Sequence, residues 1–348
     1  MKAWVLHELG NITCDNVDMP EITKNEVLVK VKATGVCGSD IPRIYTSGTY
    51  SYPLIPGHEF SGQVVKLGES VENKWLNKRV GVFPLIPCRE CTPCQNKQYE
   101  MCRKYSYLGS RKDGGFSEYV AVPQENLIEL PDNVTYEQAA MLEPMAVAVH
   151  SIRRVQVKET DNIVVCGLGT IGLLIVMFLL EQGVKNLFVI GNKAFQRKTV
   201  LEMGVKESNY CDSKTQDVNL WLKEKSQQYG FDVFFECVGK NETVKLAIDN
   251  TAPAGRVMLV GNPYGDITLD KSVYWKILRH QLIVTGTWNS SFTNSENDDW
   301  NYVIDKLKEK RIMPEKMITH KFTIDEIEKG YHIMRDKSED YIKVMMIE

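Results

Sequence analysis

The 348-residue chain contains no apolar run approaching the roughly 18 residues that a membrane-spanning helix needs, which excludes an integral helical membrane protein. Its first residues, MKAWVLHELGNITCDNVDMP, lack the apolar core and small-residue cleavage site of a secretory signal, so a cytoplasmic protein is expected. Net charge is also missing. The 42 Lys and Arg against 45 Asp and Glu leave −3, too little for a surface that grips a polyanion, so neither a nucleic acid nor a membrane is an expected partner. Repeats, low-complexity tracts and long charge runs are absent. Cysteine is scarce and odd in number: nine thiols cannot all pair within one chain, and a disulfide framework is excluded. What remains is ordinary globular material, 43 % hydrophobic and 25 % charged, enough for about two domains. The thirteen methionines read as core filling.

Four of the nine cysteines crowd into CRECTPCQNKQYEMC, residues 88–102, with the spacing C-x2-C-x2-C-x7-C. In a reducing compartment such a cluster binds metal or does redox work. Cys88, Cys91, Cys94 and Cys102 are expected to wrap one tetrahedral Zn2+ as a closed structural site. A loop of reduced thiols and an iron–sulfur cluster are the competing readings.

The stretch DNIVVCGLGTIGLLIVMFLLEQG, residues 161–183, changes pattern partway. A short apolar run ends in Gly167, Gly169 and Gly172, and a long apolar segment follows. This is the strand, glycine turn and helix of a dinucleotide-binding unit, with Thr170 and Ile171 opening the helix toward the phosphates. Further apolar runs at 187–190, 233–235, 257–260 and 282–284 recur at βα spacing, which predicts a doubly wound parallel sheet. NAD enzymes place an acid about 20 residues past the motif, on the ribose 2′-hydroxyl. Here Gly191 occupies that place, followed by Asn192, Lys193 and Arg197. A small residue beside cations suits a 2′-phosphate, so NADP is favoured over NAD. Ordinary solvated charges on an enzyme that takes NAD, or either cofactor, are the alternative.

The N-terminal part differs. Residues 26–34, EVLVKVKAT, alternate as a half-buried strand does. GVCGSD (35–40) and PGHEFSG (56–62) offer Cys37 and His58 as zinc ligands in glycine-rich settings that allow close approach. Glu143 is a carboxylate inside the apolar stretch AAMLEPMAVAVH, and it needs a partner that zinc would supply; a helix-terminus or salt-bridged glutamate is the alternative.

Together, GHE at 57–59, the cysteine lobe and GLGTIG at 167–172 stand in the order and spacing of the zinc-dependent medium-chain dehydrogenase/reductase family. The sequence resembles that family along essentially its whole length, and its polyol dehydrogenase branch in particular. Carrying the branch resemblance are GVCGSDIPRI (35–44), YPLIPGHEFSG (52–62), PLIPCRECTPC (84–94), YSYLGSRKDGGFSEY (105–119) and KILRHQLIVTGTW (276–288).

The resemblance implies two zinc ions per chain, one catalytic and one structural. Cys37, His58 and Glu143 would hold the catalytic ion, with Glu59 as a further carboxylate binding directly or through water. Ser39 would relay the substrate proton and Asp40 would orient the ligands. It also implies a GroES-like β-rich catalytic domain from residues 1–149 and 287–348, a Rossmann domain at 150–286, a cleft between them, and a homodimer or homotetramer. The reaction would move a hydride between a carbinol carbon and the nicotinamide while zinc polarises the oxygen. Polar residues suggest a polyol or sugar phosphate: Arg111 and Lys112 in SRKDGGF, and Lys276 and Arg279 in KILRH, are candidate phosphate partners, with Trp288 as a pocket wall. Surface salt bridges and core packing are the competing readings. Free polyols and a vicinal diol remain open as substrates. A binding protein on an inactive dehydrogenase scaffold would have lost a ligand or Ser39, and none is missing.

Overall fold

The computed structural model describes every residue except Tyr264. The chain divides into two compact units, Met1–Pro144 with Ser291–Glu348, and Met145–Ser290. The divides fall at 144 and 290 rather than at 149 and 286: the buried residues Met145, Ala146, Ala148 and Val149 go with the second unit.

The first unit is built on a seven-stranded sheet. Its order is Ile318–Phe322, Lys343–Ile347, Glu26–Val36, Glu59–Leu67, Arg79–Val82 and Leu127–Glu129, with Tyr119–Pro123 also paired to Glu26–Val36. The expectation of a half-buried strand at 26–34 is corrected. That strand has partners on both edges and is buried along nearly its whole length, with only Lys30 and Lys32 partly exposed. Lysine stems lie along apolar surface and carry their charge outward, so alternation in sequence did not mean a wet face. Aromatic rings fill the core: Trp4 and Phe116 meet Tyr331 edge-on at 6.0 and 5.3 Å.

The register brings distant residues together. Gly35 pairs with Glu59 on one side and with Met345 on the other, which draws Cys37, Glu59 and Lys343 to one end of the sheet. The turn before His58 is fixed by backbone packing. Gly57 has φ +99°, and a Cβ on Gly109 or Gly114 would stand 2.5 or 2.1 Å from the Gly57 carbonyl oxygen. The amide of Gly115 donates to that oxygen at 2.8 Å.

The second unit holds a six-stranded parallel sheet in the order Tyr210–Asp212, Asn186–Gly191, Asn162–Cys166, Phe231–Glu236, Thr251–Leu259 and Ile283–Gly286. Five of these strands coincide with the apolar runs read in the sequence. The sixth, Tyr210–Asp212, spans three residues and gives no periodic signal. Helix Thr170–Glu181 buries Leu173, Leu174, Ile175, Val176, Phe178 and Leu179, as expected of a helix apolar on every face. Each such side chain contributes about 1.5–3 kcal/mol by leaving water. Among the described residues no helix is long and apolar enough to cross a membrane.

Candidate functional site

The four lobe cysteines converge. Cys91 and Cys94 Sγ are 3.5 Å apart, Cys88 and Cys94 3.9 Å, and Cys91 and Cys102 4.0 Å. All nine cysteines of the chain are free thiols. A tetrahedral zinc with Zn–S near 2.3 Å places its sulfurs about 3.8 Å apart, so the set fits one ion. A cluster with several irons between its thiolates needs a wider cage. Local structure makes the convergence possible: Pro93 starts the short helix Thr92–Gln95, and the 3-10 turn Tyr99–Met101 delivers Cys102. The backbone amides of Arg103 and Cys94 pull the Cys91 thiol down to about 6, while burial pushes Cys94 up to about 12. Backbone amides of Glu90 and Cys91 hold the Cys88 thiol below its ordinary value as well.

A second group of donors, from Cys37, His58 and Glu59, lies within 4.8 Å of one another. Cys37 sits between strand Glu26–Val36 and helix Asp40–Tyr45, and His58 directly precedes strand Glu59–Leu67. Ser39 donates its hydroxyl to Cys37 Sγ at 3.3 Å. Asp40 is fully buried; it accepts from the Cys37 amide at 2.9 Å, pairs with Arg43, and faces His58 Nδ1 at 3.5 Å. That nitrogen has no partner within hydrogen-bond distance, so Asp40 orients the ring electrostatically. Burial opposes charge on both groups. It is overcome: the pair of opposite charges holds Asp40 below its ordinary pKa, and the charges of Asp40 and Cys37 hold His58 well above its own. The donor set therefore demands positive charge, which suits a divalent metal.

Lys343 supplies one such charge. It is 2 % exposed, donates to the Val36 carbonyl at 3.0 Å and forms an ion pair with Glu59. The Glu59–Lys343 pair explains Gly35, since a Cβ there would stand 2.4 Å from the Glu59 carboxylate. Room at Gly35 is thus used by the ion pair; the sequence reading had given it to the metal.

Glu143, in the first turn of helix Leu142–Arg154, lies outside the mutually close trio. Its Oε1 accepts from the Tyr107 hydroxyl at 3.2 Å, and the Tyr107 ring meets His58 edge-on at 5.8 Å. Burial, reinforced by Glu59, raises the Glu143 carboxyl to about 7. Of the two carboxylates expected at the ion, Glu59 thus joins Cys37 and His58 in the close trio, while Glu143 is held by Tyr107. Tyr107 and Lys343 escaped sequence reading. Lys343 had a signal, a lone charge opening the apolar strand Lys343–Ile347.

In the second unit the three motif glycines do different jobs. Gly167 has φ +96°, the left-handed turn out of the strand. A Cβ on Gly172 would stand 1.9 Å from the Gly167 carbonyl oxygen, so helix and strand touch there. Gly169 faces open space, with nothing within 4 Å of a Cβ, and caps helix Thr170–Glu181 without a side-chain hydrogen bond. An open approach to a helix N-terminus fits a pyrophosphate. At Gly191 a Cβ would stand 2.9 Å from Leu168 and 3.0 Å from the Tyr210 hydroxyl. That buried hydroxyl has no hydrogen-bond partner. The Asn192 amide donates to Gln196 at 3.3 Å, Lys193 lies over the Phe195 ring at 5.2 Å, and Arg197 pairs with Glu207.

The remaining candidate cations are divided between the units. Lys276 pairs with Asp249 at 2.6 Å, Arg279 lies over Trp275 at 4.7 Å, and Trp288 is 59 % exposed. Lys112 reaches Glu26 at 3.6 Å. Arg111 lies over Tyr50 and Tyr105 in the first unit.

Comparison with known proteins follows this geometry. Residues 23–132 match the alcohol dehydrogenase GroES-like domain, and residues 170–309 match the zinc-binding dehydrogenase family. The chain is 32 % identical over 323 residues to galactitol 1-phosphate 5-dehydrogenase of Escherichia coli K12, covering 92 % of each. It is also 32 % identical to sorbitol dehydrogenase of Halalkalibacterium halodurans, covering 99 % of each. The crystal structure of galactitol-1-phosphate dehydrogenase from Escherichia coli superposes over 100 % of both chains with a TM-score of 0.93 at 30 % identity. A zinc-binding dehydrogenase of Sinorhizobium meliloti 1021 solved with NADP has a TM-score of 0.90, and an alcohol dehydrogenase of E. coli CFT073 solved with NADH 0.91, each at 28 % identity over 100 % of this chain and 99 % of that one. With both family models matched and the fold shared end to end, the chain belongs to the zinc-dependent medium-chain dehydrogenase/reductase family and is an oxidoreductase of its alcohol and polyol dehydrogenase type.

Proposed function

We propose that this dehydrogenase oxidises a polyol phosphate, galactitol 1-phosphate to tagatose 6-phosphate, with NADP and two zinc ions per chain. The observation that carries the reading is the buried trio Cys37, His58 and Glu59, backed by Asp40 and Lys343. Zinc held by this trio would supply Lewis-acid polarisation of the substrate oxygen, and NADP held by the second unit would supply the hydride acceptor. The protein does the rest. Asp40 holds the His58 ring, Lys343 balances Glu59, and Glu143 with Tyr107 closes the trio from behind. Ser39, exposed beside Cys37, is placed to pass the substrate proton to solvent. Cys88, Cys91, Cys94 and Cys102 hold the structural ion, and nine free thiols suit a cytoplasmic setting.

Gly167, Gly169, Thr170, Ile171 and Gly172 cradle the pyrophosphate. The preference for NADP rests on Gly191, Asn192 and Lys193, and gains the unpartnered Tyr210 hydroxyl as a donor. Arg197 contributes less, because Glu207 already holds it. Lys276 and Arg279 would serve a phosphate only by leaving Asp249 and Trp275, and Trp288 is an exposed ring available to wall a substrate. The equal identity of the sorbitol relative supports a free polyol as the second reading. A homodimer is supported by the outermost strand Ile283–Gly286, where Ile283 is 57 % exposed.

One assay tests the core of the reading: cofactor reduction by galactitol 1-phosphate, galactitol, sorbitol and 2,3-butanediol with NADP and NAD, alongside metal analysis. Two zinc ions and selective turnover of the phosphorylated polyol with NADP are expected. Turnover of none of the alcohols by zinc-replete protein overturns it, and a clear NAD preference overturns the cofactor assignment.

A further inference from the structure

Arg111 is an arginine with its donors unspent. Its guanidinium carbon lies 4.0 Å from the centre of the Tyr50 ring and 4.4 Å from that of Tyr105. Its Nε is buried and hydrogen-bonds nothing. Among the described residues no carboxylate pairs with it, although Glu26 is 3.6 Å from its neighbour Lys112. Guanidinium stays charged at any working pH, and a half-buried one without an acceptor is costly. The two rings offset part of that cost through their π faces but accept none of its in-plane N–H groups.

The surrounding backbone holds this arrangement in place. The amides of Arg111 and Lys112 donate to the Tyr107 carbonyl at 2.9 and 3.1 Å. Thr49 donates its hydroxyl to the Ser110 carbonyl at 2.9 Å, tying the segment that carries Tyr50 to the segment that carries Arg111. The Tyr105 ring meets the Tyr107 ring at 6.3 Å, and the Tyr107 ring meets His58 at 5.8 Å. Arg111 thus stands two aromatic rings from the metal-binding histidine.

We propose that Arg111, held by Tyr50 and Tyr105, anchors the phosphate monoester of the substrate while the reacting carbinol lies at the Cys37–His58–Glu59 centre. The forked terminal donors of arginine match a phosphate's oxygens, and among the described residues no carboxylate competes for them. In galactitol 1-phosphate, four carbon–carbon bonds separate the phosphate-bearing carbon from carbon 5, and the anchor requires that span between Arg111 and the centre. The inference rests on the polyol dehydrogenase reading and adds the residue that would distinguish phosphorylated from free polyols.

The test uses the zinc-loaded protein and its Arg111→Gln and Arg111→Lys variants. The quantity read is the ratio of kcat/KM for galactitol 1-phosphate to that for galactitol. Loss of a charge-assisted pair lowers this ratio about 10- to 100-fold in Arg111→Gln, chiefly through KM, with partial recovery in Arg111→Lys. An unchanged ratio overturns the anchor and leaves the dehydrogenase reading standing. If the wild type turns over neither alcohol, the galactitol reading fails and calorimetry with inorganic phosphate decides on Arg111. Heat in the wild type that disappears in Arg111→Gln supports it; equal heat, or none in either, overturns it.

Discussion

Lys343 carries a charge into a place with almost no water, and Glu59 is what makes that tolerable. Removing one partner of a buried pair strands the other, at a cost of about 3–5 kcal/mol. Lys343→Met should therefore destabilise the metal-free protein strongly and the zinc-loaded protein far less, because the metal then compensates Glu59. The gap in Tm between stripped and loaded protein should widen, and zinc should be harder to remove by competing chelator; an unchanged gap refutes the coupling. The motif glycines allow a sharper pair of tests. Gly172→Ala forces a Cβ into the Gly167 carbonyl and should lower Tm by several degrees. Gly169→Ala meets no protein atom and should leave Tm within a degree, yet weaken NADP binding measured by fluorescence titration. At this scale the sequence was legible where chemistry announces itself: the thiols, the histidine and the glycines. It was not legible for Tyr107, Tyr210 and Lys343, whose roles come from neighbours far along the chain. Nor could it rank Glu59 above Glu143, which depends on where two carboxylates point.

Among the elements, the cysteine lobe has little secondary structure of its own: a four-residue helix and a three-residue turn. Such a segment buries little apolar surface of its own, so the structural ion proposed for it would supply the order. Stripping the metal with a strong chelator, or the change Cys91→Ser, should accelerate amide exchange across residues 88–104 by at least about tenfold while helix Thr170–Glu181 stays protected. Uniform loss of protection along the chain contradicts this. The parallel sheet was readable because strands covered on both faces appear as continuous apolar runs. The antiparallel sheet was not. Its central strand alternates in sequence but is buried, and its pairing with Lys343–Ile347 joins segments some three hundred residues apart. No local pattern encodes that closure.

For the whole molecule, the outer strand Ile283–Gly286 leaves an apolar edge with backbone donors and acceptors facing outward. Pairing with a second copy satisfies both. Ile283→Lys should convert the proposed dimer to a monomer by light scattering; a wild type already monomeric at micromolar concentration sinks the assignment. The backbone packing ahead of His58 has a different consequence, for how this protein can change. A Cβ on Gly109 or Gly114 meets the Gly57 main chain, and one on Gly57, already at a left-handed φ, meets the Phe116 backbone nitrogen as well as its ring, so no rotamer shift elsewhere relieves a side chain placed on any one of them. A library that varies these three sites independently will return almost nothing but losses. Tyr50 meets that region through its side chain alone, stacked on Arg111, so substrate choice in this enzyme is open to redesign there without moving the histidine.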